Sequence, residues 1–115
     1  MRYMITFNQV EGVWEELNEA EQTRHAAQLG ALIGALKANG SELVFLAPPG
    51  QAATVRMHPD GLVETLDGPA RPGFEQAGGY YVVDVDSLEE AIEWARRGRF
   101  LAGSSEVRQI IDFPE

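Results

Sequence analysis

The sequence predicts an α+β domain on three grounds. Segments with a two-residue apolar period and segments with a helical period follow one another in the order strand, helix, strand, hairpin, strand, helix, strand. A Pro-Asp-Gly turn at residues 59–61 separates two short apolar runs and marks the hairpin. The strands are apolar at successive rather than alternate positions, so both sheet faces ask for cover. Two helices placed between strands in this order give a split βαβ, ferredoxin-like sheet with an inserted β-hairpin and both helices on one face.

In residues 2–7, Tyr3, Ile5 and Phe7 fall on one face and Met4 and Thr6 on the other, which is the period of a strand. Trp14 and Leu17 follow in a turn-like stretch. Asn18 stands three residues before Glu21, a pairing that satisfies the free amides of a helix start, so the first long helix runs from about residue 19 to residue 38. His25, Leu29, Leu32 and Leu36 form one stripe along it, Ile33 widens the stripe, and Asn39-Gly40 offers a left-handed cap. Gly30 and Gly34 fall opposite the stripe. Each costs about 1 kcal/mol relative to alanine, which suits either a close backbone neighbour or an open, permissive face.

A second strand over 42–46 ends at Pro48-Pro49-Gly50, because proline cannot donate to a ladder. The hairpin pairs residues 54–58 with 62–66. Residues 67–79 are rich in glycine and proline without an apolar period, and a loop of this length in a compact domain is a candidate rim for a site. Residues 80–85 form the strongest strand. Ser87 and Glu90 open a second helix that buries Leu88, Ala91, Ile92 and Ala95, with Trp94 off that stripe, either exposed as an interface residue or covered by a terminal loop. Gly98 closes the helix, and a last strand covers about 106–111.

The uncovered sheet face has a consequence for assembly. Leu43 and Phe45 oppose Val44 and Leu46, and Tyr80 and Val82 oppose Tyr81, Val83 and Val85. An open face shows polar residues at alternate positions, so this one expects a partner layer, most simply the same face of a second subunit in a homodimer. The alternative is that the hairpin folds over that face within one chain.

Composition bounds the rest. The 115 residues fit one domain over 1–115, and the 44% hydrophobic content must hold it, because there is no cysteine for disulfides or thiolate clusters. With 18 acids against 9 bases the net charge is −9, which repels phosphate backbones and anionic membrane surfaces, so no nucleic acid or membrane partner is expected. The opening MRYMITFNQ lacks a signal-peptide core and no run approaches a membrane span, which places the chain in the cytoplasm.

LNEAEQ at 17–22, LAPPG at 46–50 followed by ATVRM at 53–57, DGP at 67–69, GGYYVVDVDSLEEAIEWA at 78–95 and EVRQI at 106–110 occur together in this order. Over nearly its whole length the chain thereby resembles the YCII-related family, in particular its DGPF-type branch. The resemblance implies a dimeric α/β barrel, in which two ferredoxin-like sheets pair. Ala70 stands where that branch's name motif carries Phe, and Phe74 lies four residues further on. Relatives linked to lyase-like or dehalogenating chemistry carry a helix histidine paired with an aspartate, whose position falls here at Leu29, so that dyad does not transfer. Some DGPF-type proteins sit beside alternative sigma factors, which implies a regulatory partner as a second possibility.

Among individual residues, His25 lies at the N-terminal end of the apolar stripe. It is either a proton mover, if Asp67, Glu75 or Asp84 approaches it, or a boundary histidine with one satisfied nitrogen. Asp67 and Glu75 flank the long loop, where two carboxylates can divide acid and base roles; equally, an aspartate before Gly-Pro braces a turn. Arg56 and Arg71 are candidates to hold an anionic substrate, with a surface ion pair as the other account of Arg56. The Tyr81 hydroxyl either reaches a ligand or belongs to a packed ring.

His25 and His58 lie on different elements, so no metal site is expected. No phosphate-cradling glycine loop opens a helix, and no cofactor is expected. Two functions remain: a lyase- or isomerase-type acid/base enzyme acting on a small anionic molecule, and a non-catalytic ligand-binding or regulatory dimer.

Overall fold

The computed structural model describes residues 1–98 and 103–113, so Arg99 of the basic run Arg96, Arg97 and Arg99 lies outside the described residues. The elements are β1 (Arg2–Val10), α1 (Val13–Glu16), α2 (Glu19–Ala38), β2 (Val44–Phe45), β3 (Ala53–Met57), β4 (Val63–Asp67), β5 (Glu75–Asp84), α3 (Leu88–Arg96) and β6 (Ser104–Gln109). α2 has the expected bounds because its start is fully capped. The Asn18 side chain accepts the Glu21 N–H at 2.8 Å, and the Asn18 N–H donates to the Glu21 carboxylate at 3.1 Å.

Four strands form an antiparallel sheet in the order β2-β5-β1-β6, and β3 and β4 form a separate two-stranded hairpin. This is an α+β architecture compatible with the ferredoxin-like order. Within one chain the sheet stays open rather than closing into a barrel. Tyr3, Ile5 and Phe7 of β1 lie opposite Val83, Tyr81 and Gly79 of β5, so all six share one face. Leu32 and Leu36 of α2, Leu43 just before β2, and Ala91 and Trp94 of α3 complete the buried cluster on that face, which puts both helices on the same side. The opposite face carries Met4, Thr6, Val44, Tyr80 and Val82 at its centre, half-buried to exposed.

Several expectations are corrected. Residues 75–79 belong to β5 rather than to a loop, which shortens the connection after β4 to residues 68–74. Gly78 and Gly79 sit inside the strand because the register slips between Phe7 and Asn8, and because neighbours crowd both positions. A Cβ on Gly79 would lie 2.1 Å from the Val44 carbonyl oxygen and 2.4 Å from the Phe7 ring. The second strand contracts to Val44–Phe45, and the turn-like stretch around Trp14 is the short helix α1.

Trp94 is buried at 9% exposure, whereas Leu88 is exposed. The buried stripe of α3 follows Ala91 and Trp94, since the largest apolar side chain sets the phase, and the Arg97 guanidinium lies over its ring at 4.1 Å. Ser87 caps α3 by accepting from the Glu90 N–H at 3.2 Å, while the Glu90 carboxylate accepts from Asp86 rather than from the cap residue.

The hairpin has two unlike faces. Register places Val55, Met57 and Val63 on one side and Arg56 and Glu64 on the other, where Glu64 also pairs with His58. The apolar side is open, with Met57 75% exposed, and the hairpin packs extensively only on itself. The radius of gyration is accordingly 16.5 Å, against about 13 Å for a compact chain of this length. Gly30 and Gly34 have open space where a Cβ would stand, which matches the permissive-face account.

Candidate functional site

A cleft of about 740 Å³ lies where the N-terminal half of α2 rises from one end of the sheet. Leu32 and Leu36 hold the other half of α2 in the core, but Leu29 and His25 are only half-buried. The strand-end wall is made by β1 and β5 beyond their bulge, at Gln9, Val10, Gln76 and Ala77. Phe45 to Pro49 form a second wall, with Phe45 set edge-on to Phe7 at 6.0 Å between ring centroids.

A short helix closes the third side. Gly12, at φ 84, adopts the left-handed conformation that turns the chain out of β1 and into α1. The Gln22 side chain of α2 donates to the Trp14 carbonyl at 3.0 Å and ties α1 down. The Trp14 and His25 rings then meet at 5.3 Å with their planes at 74°, so the imidazole stands against an indole inside the cleft. Glu11 and Glu15 supply the carboxylates of the lining.

Of the residues singled out from the sequence, His25 lines this cleft and the other five stand elsewhere. Asp67 ends β4 opposite Ala53, exposed. Glu75 begins β5, where its carboxylate accepts from the Ser104 hydroxyl at 3.1 Å; that hydroxyl in turn accepts from Asn8. Arg56 lies across from Glu64 and donates to the Ala70 carbonyl at 3.4 Å. Arg71 is in the 68–74 connection, its carbonyl accepting from the Gln76 side chain at 2.9 Å. Asp84, named as a possible partner of His25, accepts from the N-terminal ammonium at 3.0 Å. Trp14, Glu11 and Glu15 went unrecognised. The one local signal was an aromatic residue two positions after a glycine at a strand end.

Tyr81 is only 2% exposed, and its hydroxyl donates to the Trp94 carbonyl at 3.2 Å. Burial pushes its phenol from 10.0 up to about 12, a rise that the nearby Arg97 guanidinium partly offsets. The folded chain thus holds this proton more tightly than the unfolded chain. The resulting stability is fully present below pH 10.0 and is lost as pH rises through about 12. Urea melts at neutral pH and at about pH 11 are expected to show a smaller alkaline loss for Tyr81→Phe than for the wild type. At neutral pH the variant should be less stable by about 1 kcal/mol, the worth of the lost hydrogen bond. Equal alkaline losses would contradict the assignment.

Among the described residues no group of three or more His, Asp or Glu side chains is placed to hold a metal ion, and no helix is long and apolar enough to cross a membrane. The fold and cleft define an α+β protein with a helix-covered antiparallel sheet and an open, aromatic-walled recess at one end. The YCII-related domain matches residues 1–114, and the chain belongs to that family. A curated relative from Rhizobium meliloti (strain 1021), described as an uncharacterized protein, is 40% identical over 68 residues. The match covers 56% of this chain and 54% of that protein, so it spans about half of the relative's length.

Proposed function

We propose that the chain works as a homodimer that pairs its open sheet faces in an α/β barrel and binds a small molecule in the cleft beside His25. The observation that carries the binding reading is the His25 imidazole set against Trp14 inside a recess of about 740 Å³, a volume suited to a metabolite. The apolar centre of the uncovered sheet face supports the pairing. The cleft lies at the end of the helix-covered side, so it stays accessible when the other faces meet.

His25 is the residue to move a proton in an acid/base reaction of lyase or isomerase type, with Glu11 and Glu15 as the carboxylates of the same recess. Arg56 and Arg71 lie outside the lining, so a hold on an anionic substrate has no support from it. Belonging to the DGPF-type branch, with its sigma-factor neighbours, is a finer reading resting on the shared motifs alone. Binding without turnover would make the same cleft a sensor.

A thermal-shift screen of metabolites, read out for products by mass spectrometry, tests these statements. A ligand of the cleft is expected to stabilise the wild type and not Trp14→Ala. Product formation that His25→Gln abolishes, with mass and melting temperature unchanged, assigns the proton transfer. A stabilising ligand indifferent to Trp14→Ala would sink the cleft assignment.

A further inference from the structure

We infer, on the small-molecule reading of the cleft just given, that its ligand is an organic cation with an apolar body, such as an aryl-alkyl ammonium. Charge is the first ground. Glu11 and Glu15 line the cleft, and among the described residues no lysine or arginine does. Even with His25 counted as charged, the two carboxylates leave the lining net negative. The chain as a whole carries −9, which adds a field of the same sign. An anion entering this recess gives up water for two carboxylate neighbours and gains no lysine or arginine partner from the lining.

The walls are the second ground. Trp14 and Phe45 also line the cleft, and they remain 46% and 51% exposed although both are large aromatics. Aromatic faces are electron-rich, and an ammonium group held against them is attracted by the ring quadrupole, most strongly by tryptophan. The same pairing already occurs elsewhere in this chain, where Arg97 covers Trp94. Val10, Val13 and Leu29 supply apolar surface for the body of the ligand. Aromatic rings, carboxylates and an apolar wall together suit an amine better than a neutral or acidic molecule of the same shape.

Three probes of matched shape test the inference: 2-phenylethylamine, 2-phenylethanol and 3-phenylpropanoate, titrated at neutral pH while the ring signals of Trp14 and His25 are followed by NMR. The amine is expected to bind about tenfold more tightly than the alcohol, in line with a cation–π and charge contribution of about 1.4 kcal/mol. The propanoate should bind most weakly. The double variant Glu11→Gln, Glu15→Gln should cut the amine's advantage to the part the aromatic walls supply and leave the alcohol unchanged, and added salt should weaken the amine but not the alcohol. Propanoate binding as tight as the amine overturns the charge assignment while leaving the cleft a small-molecule site. If none of the three perturbs either ring, the inference and the small-molecule reading fall together.

Discussion

Gly79→Ala is expected to destabilise the domain by about 3 kcal/mol and to lower its melting temperature by more than about 10 °C. The added methyl group meets two atoms that have little room to yield. One is the Val44 carbonyl oxygen at 2.1 Å, part of the main chain of the adjacent strand. The other is the ring of Phe7, which belongs to the buried core. Pushing either away separates β2 from β5 or opens the core around Phe7. Two other glycines calibrate the effect. Gly78→Ala should cost less, because its methyl group meets only the side chain of Gln9, which can turn aside. Gly30→Ala, on the open side of α2 with nothing within 4 Å, should stabilise by up to about 1 kcal/mol. Thermal and urea melts of the three variants check the ranking, and a Gly79→Ala protein as stable as the wild type would refute the crowding argument.

If the sheet faces pair as proposed, Val82→Glu is expected to convert the dimer into a monomer. Val82 lies opposite Met4 at the centre of the face without helices, on the central pair of strands. Two-fold pairing of that face would bury the new carboxylate twice, once from each subunit, with no partner for either. A loss of about 3 kcal/mol weakens association more than 100-fold, which sedimentation or light scattering reads as a halved mass at micromolar concentration. Leu88→Glu is the control, since it adds the same charge at an exposed position of α3 on the helix-covered side, in the first turn, where acids are favoured. It should leave the mass unchanged. A wild-type protein that is monomeric, or a Val82→Glu protein that stays dimeric, would remove the sheet-face pairing.

The two substitutions also mark what a linear sequence discloses. Features set by local chemistry were legible: the Asn18–Glu21 box that starts α2, the Pro59-Asp60-Gly61 turn, and the alternation of Tyr3, Ile5 and Phe7. Features set by distant crowding were not. Gly78-Gly79 reads locally as the end of a loop, yet both lie within β5, glycine at 79 because the Val44 carbonyl and the Phe7 ring crowd that position and at 78 beside the Gln9 side chain. Trp94 was assigned to the wrong side of α3 because the apolar phase of a nine-residue helix is ambiguous by one position. His25 was visible as a histidine on an apolar stripe, but its companions in the cleft were not. They come from α1, which has no side-chain cap hydrogen bond, and from strand ends whose meeting depends on the whole sheet.

The pairing of β1 also bears on the order of events during synthesis. Its partners are residues 75–84 on one side and 104–109 on the other, so β1 is made well before either strand that flanks it. β1 therefore has no strand partner on either edge until residues 75–84 emerge, with α2 the early helix packed on the Tyr3, Ile5 and Phe7 face. Such long-range closure makes folding slow relative to helix formation and leaves an apolar N-terminal segment open to capture by chaperones until β5 arrives.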